Sequence, residues 1–159
     1  MSNLTLLIPA KFESECLPTF LKELEKFDYK KIIILDKNDE KTIQATKKFP
    51  EVEILYQDKK GYGNALIYGI ENTQTEYFSI INADGSMNPD ELGKMLKVIT
   101  IENNDFVFGS RYIKDSGSED DDFITKVGNF IFSLIGKIFF NLKISDILYT
   151  FVVGKTRLA

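Results

Sequence analysis

Short apolar runs alternate with amphipathic stretches along the first two thirds of the chain. Leu4 to Ile8 (LTLLI) reads as a buried strand. Leu17, Phe20, Leu21, Leu24 and Phe27 then recur at intervals of three and four, which is one face of a helix. Lys31 to Leu35 (KIIIL) predicts a second strand, rich in β-branched residues. Asp39 to Phe49 predicts a weaker helix, closed by Pro50, and Val52 to Tyr56 a third strand. A helix over Asn64 to Glu71 opens after Gly61 and Gly63, and Tyr77 to Ile81 (YFSII) predicts a fourth strand. Pro89 suits the first position of a further helix, with Asn88 as its cap, running to about Ile101. Asp105 to Gly109 (DFVFG) predicts a fifth strand. Strands and helices in strict alternation define an α/β fold: a mostly parallel sheet with helices on both faces. Strands that are apolar throughout fit burial on both sides.

The rest of the chain has a different texture. Asp115 to Asp122 (DSGSEDDD) reads as a loop, because like charges repel and Gly and Ser do not order a backbone. It serves as a solvated connector or as a flap over a site. Val127 to Phe140 is apolar around most of a helix, with Lys126 and Lys137 at its margins. It is broken by Gly128, Asn129, Ser133, Gly136 and Lys137 and falls short of the ~20 residues that cross a bilayer. Such a helix either lies at a membrane interface or packs against other protein. The opening MSNLTLLIPAKFESE has no basic flank and does not read as a signal peptide. The expected location is cytoplasmic, peripheral at the inner face of the cell membrane.

Composition narrows the chemistry. Among the 159 residues there is no histidine and one cysteine, Cys16. That excludes a Ser-His-Asp triad, a Cys-His pair, a His-ligated metal and an intrachain disulfide. A net charge of −4, with no basic block, argues against nucleic acid as a partner. The turn after the first strand, PAKFESE, lacks the GxGxxG of a dinucleotide site. Gly154-Lys155-Thr156 lacks the upstream glycine of a phosphate loop, since position 149 is tyrosine.

Ligands of open parallel sheets bind beyond the carboxyl ends of the strands. There the sequence places Glu13, Asp36, and the run Asn82, Asp84, Ser86 in IINADGSMNPDEL. If the backbone stays extended, 82, 84 and 86 point the same way and offer oxygen donors. Oxygen donors suit Mg²⁺ or Mn²⁺. A single Asp after a strand is equally an Asx-turn or a helix cap.

These segments together resemble the family 2 glycosyltransferases of the GT-A (Rossmann-like, nucleotide-diphospho-sugar transferase) fold, in their polyprenyl-phosphate, dolichyl-phosphate mannose synthase-like branch. LLIPAKFESECLPTFLKEL is similar to the family's opening strand, P-A-x-N-E segment and first helix; IIILDKNDEKT to its acidic strand end; and KKGYGNALIYGI to its G-x-G-x-A turn and helix. IINADGSMNPDEL resembles its D-x-D segment, FVFGSRY its Gly-Ser-Arg strand end, and VGNFIFSLIGKIF with ISD its amphipathic helix and Ser-Asp segment. The resemblance runs through nearly the whole chain in order.

It implies an inverting transfer of sugar from a nucleotide-diphosphate-sugar to a polyprenyl phosphate or cell-envelope glycan. By the same resemblance, Pro9, Ala10 and Glu13 line the nucleotide pocket and Asp36 bonds the base edge. Gly61 and Gly63 let the backbone approach, and Asp84, with Asn82 and Ser86, holds the metal. Arg111 meets phosphate, and Asp146 sits near the reaction centre, as base if the acceptor is a hydroxyl. Residues 1–112 form the nucleotide-sugar part and 113–159 the acceptor side of one domain. Family members usually continue beyond the point where Ala159 stands, so a shortened domain is expected.

The departures are specific. Asn82 replaces the first acid of D-x-D, Phe12 replaces the Asn of N-E, and Val152 stands where an arginine is common. Lys126, Lys137 or Lys155 then has to meet acceptor phosphate. Two other readings stay open: a catalytically impaired nucleotide-sugar-binding relative that acts with a partner, and a nucleotidyltransferase. The latter needs a basic glycine-rich loop after the first strand, where this chain has only Lys11.

Overall fold

The computed structural model describes residues 3–112 and 123–159; the predicted loop over 115–122 lies outside them. Six strands form one sheet: β1 (Leu4–Ala10), β2 (Lys30–Leu35), β3 (Glu53–Tyr56), β4 (Tyr77–Ile80), β5 (Phe106–Phe108) and β6 (Val152–Lys155). Their order is β3-β2-β1-β4-β6-β5, and β1 pairs in parallel with both β2 and β4, as β2 does with β3. Five helices accompany them: α1 (Leu17–Leu24), α2 (Glu40–Thr46), α3 (Tyr62–Glu71), α4 (Leu92–Ile101) and α5 (Phe123–Phe140). By internal packing the chain divides into two units, Met1–Val107 with Val153–Ala159, and Phe108–Val152.

In the first unit the apolar runs become the core for the reason their pattern suggests. Leu4, Leu6, Leu7 and Ile8 of β1 and Ile32, Ile33, Ile34 and Leu35 of β2 are all buried, successive side chains pointing to opposite faces. β3, at the sheet edge, is only partly covered. Leu17, Phe20, Leu21 and Leu24 bury the predicted face of α1, which ends at Leu24, short of Phe27. Pro89 starts a single 3₁₀ turn (Pro89–Glu91) rather than the α-helix itself. Asn88 caps that turn by accepting from the Asp90 N–H at 3.0 Å, and α4 begins at Leu92.

β6 is a strand that periodicity does not announce. Lys155 N–H donates to the Asp105 carbonyl and Thr156 N–H to the Glu76 carbonyl. Lys155, a buried residue, bonds through its ammonium to the Asn103 carbonyl, Asn103 Oδ1 and Asp105 Oδ1 at 3.4, 3.0 and 3.0 Å. That set removes Lys155 from the lysines open to an acceptor phosphate.

In the second unit, α5 is stitched by polar groups to the segment that follows it. Asn129 donates to the Ser145 carbonyl at 3.3 Å and accepts from the Leu148 N–H at 3.2 Å. Ser133 accepts from the Ile147 N–H at 3.4 Å. Much of the helix is uncovered: Ile124, Phe130, Ile138, Phe139 and Phe140 are each more than 60% exposed.

Candidate functional site

Parallel strands deliver their carboxyl ends to one edge, and the first unit has a cavity of about 290 Å³ there. Its walls come from the segment after β1 (Pro9, Ala10, Glu13), from Asp36 after β2, and from Asn82 and Asp84 after β4. Gly61, at the start of α3, completes that group. Of the nucleotide-site residues expected from sequence, only Gly63 does not line the cavity. Sequence reasoning overlooked Lys11 as a wall, together with Gln57, Tyr62, and the apolar floor of Ile34 and Ala65.

Gly61 has φ +115°, a conformation that side chains rarely adopt, and this lets the chain turn sharply into α3. A Cβ at Gly63 would meet nothing within 4 Å, so no packing demands glycine there. Tyr62, between them, carries a signal that a glycine-centred reading passes over. Its hydroxyl donates to Asn82 Oδ1 at 2.9 Å.

After β4 the backbone does not stay extended. Ala83 and Met87 are buried and anchor a turn, and Gly85, at φ +76°, reverses it. Asp84 Oδ1 accepts the Ser86 N–H at 2.9 Å, the Asx-turn that the sequence allowed as an alternative. Residues 82, 84 and 86 therefore do not form a row of donors on one strand face. Asp84 is exposed, while the Asn82 amide oxygen already accepts from Tyr62. Among the described residues no group of three or more His, Cys, Asp or Glu side chains could by itself hold a metal ion. One exposed carboxylate does fit a divalent ion whose remaining ligands are water and substrate phosphate.

Asp36 Oδ1 accepts both the backbone N–H and the side-chain amide of Asn38, each at 3.0 Å. The backbone bond is the largest influence on its carboxyl. With the amide and the charges of Lys60 and Lys11, it outweighs desolvation and holds the group below its ordinary range. Asp36 thus stays an ionised acceptor at the cavity wall. Asp39, 5% exposed, is strongly opposed by burial. Its bonds from the Phe12 N–H (2.6 Å) and from Thr42 nevertheless keep its carboxyl low.

In the second unit half-buried Arg111 pairs with buried Asp146. Asp146, 1% exposed, accepts from the Arg111 backbone N–H (3.1 Å), Nε (2.8 Å) and a terminal guanidinium nitrogen (3.0 Å). The guanidinium also lies 5.0 Å from the centre of the Tyr149 ring. Both carboxylate oxygens are engaged, so service as a base would require this pair to open. The same unit contains a groove of about 440 Å³, walled by Lys126, Asn129, Ser133 and Lys137 of α5, and by Tyr112 and Ser145. Both lysines flanking the apolar helix thus face one groove.

This arrangement defines a GT-A α/β domain, with a cavity where the strands end. The chain belongs to glycosyl transferase family 2, whose model matches residues 5–158. It is 29% identical over 127 residues to an uncharacterized protein of Methanocaldococcus jannaschii, covering 77% of this chain and 52% of that one. It is 24% identical to the UDP-N-acetylglucosamine–dolichyl-phosphate N-acetylglucosaminyltransferase of Methanococcus voltae, covering 82% and 60%. The chain spans roughly half the length of the curated relatives it matches. In fold it is similar to mannosyl-3-phosphoglycerate synthase of Rubrobacter xylanophilus (TM-score 0.74, 13% identity, 98% of this chain and 53% of that one). It is also similar to glucosyl-3-phosphoglycerate synthase of Mycobacterium tuberculosis in complex with Mn²⁺, UDP-glucose and phosphoglyceric acid (TM-score 0.67, 12% identity, 98% and 57%). Among the described residues no helix is long and apolar enough to cross a membrane.

Proposed function

We propose that the protein transfers a sugar, with inversion, from a nucleoside-diphosphate donor to a polyprenyl phosphate at the membrane surface. The observation that carries this reading is the cavity itself: Glu13, Asp36 and Asp84, from three separated turns, line one space at the strand ends. The similarity to a dolichyl-phosphate sugar transferase supports the acceptor class.

Asp36 would accept N–H donors of the base edge, and the Gly61 backbone would let the nucleotide come close. Asp84 would hold a Mg²⁺ or Mn²⁺ ion shared with the diphosphate, where such an ion, when bound, supplies neutralisation of the leaving group's charge. Lys11, at the cavity wall, adds a second cation. Arg111 would contribute positive charge toward a phosphate, with Asp146 fixing the direction of its guanidinium. A phosphate acceptor is already ionised at neutral pH, so a chain without histidine needs no strong base for the attack. Lys126 and Lys137 would receive the acceptor phosphate in their groove, and the exposed Phe139 and Phe140 would rest among lipids.

The test is transfer of labelled sugar from a panel of UDP- and GDP-sugars to undecaprenyl or dolichyl phosphate in detergent, with and without Mn²⁺. Label appearing in the lipid phase supports the proposal; its absence with every donor refutes it. The Tyr62–Asn82 bond favours a second reading, a relative that binds nucleotide-sugar without turnover. That reading predicts donor binding with neither transfer nor hydrolysis.

A further inference from the structure

Asn82 is held from two sides. Its backbone N–H donates to the sulfur of Met87 at 3.4 Å, and Met87 is buried. Its side-chain Oδ1 accepts from the Tyr62 hydroxyl at 2.9 Å. Tyr62 opens α3 directly after Gly61, whose φ of +115° turns the chain. Asn64 Nδ2 ties that turn by donating to the Lys60 carbonyl at 3.1 Å. Tyr62 and Asn82 thus come from different elements, and both line the cavity at the strand ends. Tyr62 stays 46% exposed, so burial does not account for its place. An acid at position 82 would present an oxygen whichever way it turned. An amide carries one oxygen and one NH₂ group on opposite sides, so its orientation decides what it offers. The phenol, which donates at this contact, takes the oxygen end. Among the described residues nothing accepts from Asn82 Nδ2.

We infer that Tyr62 is a positioning residue: it turns the Asn82 amide so that Nδ2 donates to a diphosphate oxygen of the nucleotide-sugar, and position 82 serves as a hydrogen-bond donor in place of a metal ligand. The inference rests on the nucleotide-sugar reading of the cavity and adds to it a contribution that needs no metal. The resemblance implies an acid at this position, and an acid would repel a diphosphate unless a cation lay between them. The amide needs no such cation, and its bond to a charged phosphate is stronger than one between neutral groups. Lys11, on the same cavity, adds positive charge. Asp84, two residues further on, remains the carboxylate for the cation. Tyr62 acts through the amide that its hydroxyl holds.

The experiment measures UDP and GDP binding by calorimetry, in EDTA and in Mn²⁺, together with urea unfolding. The proteins are the wild type, Tyr62→Phe, Asn82→Ala and the double variant. Tyr62→Phe keeps the ring and removes the hydroxyl that holds the amide. It is expected to keep the wild-type urea midpoint and to bind the preferred nucleoside diphosphate about threefold to tenfold more weakly. The loss should be equal in EDTA and in Mn²⁺. In the Asn82→Ala background, removal of the hydroxyl should weaken binding no further, because the two residues act as one unit. Unchanged binding by Tyr62→Phe overturns the proposal, as does an undiminished loss in the Asn82→Ala background. A loss confined to Mn²⁺, or wild-type binding that requires Mn²⁺ outright, overturns the hydrogen-bonding role of Nδ2. Wild-type protein that binds neither nucleotide under either condition overturns the underlying reading of the cavity as well, which distinguishes the two failures.

Discussion

Asp39→Ala removes two restraints at once, and the structure gives the size of each. Asp39 Oδ1 accepts the Thr42 N–H at 3.2 Å and so caps α2. Loss of such a cap costs about 1 kcal/mol. Asp39 Oδ2 accepts the Phe12 N–H at 2.6 Å, and a hydrogen bond to a charged group contributes about 1.5–3 kcal/mol. Release of Phe12 from its left-handed conformation, at φ +62°, returns roughly 1 kcal/mol. The net loss is therefore about 1.5–3 kcal/mol, or roughly 3–12 °C in Tm for a domain of this size.

The pH dependence is a sharper check. The Asp39 carboxyl lies below its ordinary value in the folded protein. Its contribution is thus fully present above the unfolded pKa of about 3.9 and is lost as pH falls through the lower folded value. Urea unfolding of wild type and variant at neutral pH and at successively lower pH measures both effects. The gap between the two proteins should be widest at neutral pH and should close only below about pH 4. A neutral-pH loss under about 0.5 kcal/mol, the level of an ordinary surface substitution, would refute both restraints. So would a gap that widens on acidification.

Other consequences follow from the same contacts. Asn82→Asp adds a negative charge beside Asp84 while still accepting from Tyr62, so Mn²⁺-dependent nucleotide binding should tighten; calorimetry showing no change would remove position 82 from the metal's surroundings. Asp146→Asn removes the buried carboxylate charge that accepts from Arg111 Nε and a terminal guanidinium nitrogen and should cost roughly 3 kcal/mol, read by urea unfolding; a loss below 1 kcal/mol would mean that the pair is not a structural anchor. Replacing Phe139 and Phe140 together by serine should reduce co-sedimentation with anionic phospholipid vesicles severalfold, without lowering Tm, because both rings are exposed. Equal sedimentation would detach α5 from the membrane proposal.

What the sequence disclosed, and what it hid, divides along local and long-range physics. β1 and β2 are legible because both faces of each are buried, which demands unbroken apolar runs. β6 is not, because Val152–Lys155 is short and becomes a strand only by pairing with distant chain, the partners of Lys155 and Thr156 being Asp105 and Glu76. The walls Glu13, Asp36 and Asp84 were readable from their places at strand ends. The fold of the 82–86 turn was not, because whether Asp84 continues a strand or closes an Asx-turn is decided by Gly85 and by the burial of Ala83 and Met87. Tyr62 and Asp39 were missed for a common reason. Each acts through a bond to a residue 20 or 27 positions away, Asn82 and Phe12, and no local pattern records such a bond.

The central claim is that the strand ends of the first unit grip a nucleoside diphosphate through a cation on Asp84. Calorimetric titration of UDP and GDP into wild type and Asp84→Ala, with and without Mn²⁺, tests it most directly. The exposed position of Asp84 predicts that the variant keeps the wild-type unfolding midpoint. Binding should be strengthened by Mn²⁺ in the wild type, and that enhancement should vanish in the variant. Mn²⁺-enhanced binding that survives the loss of Asp84, or a wild type that binds neither nucleotide, would contradict the account.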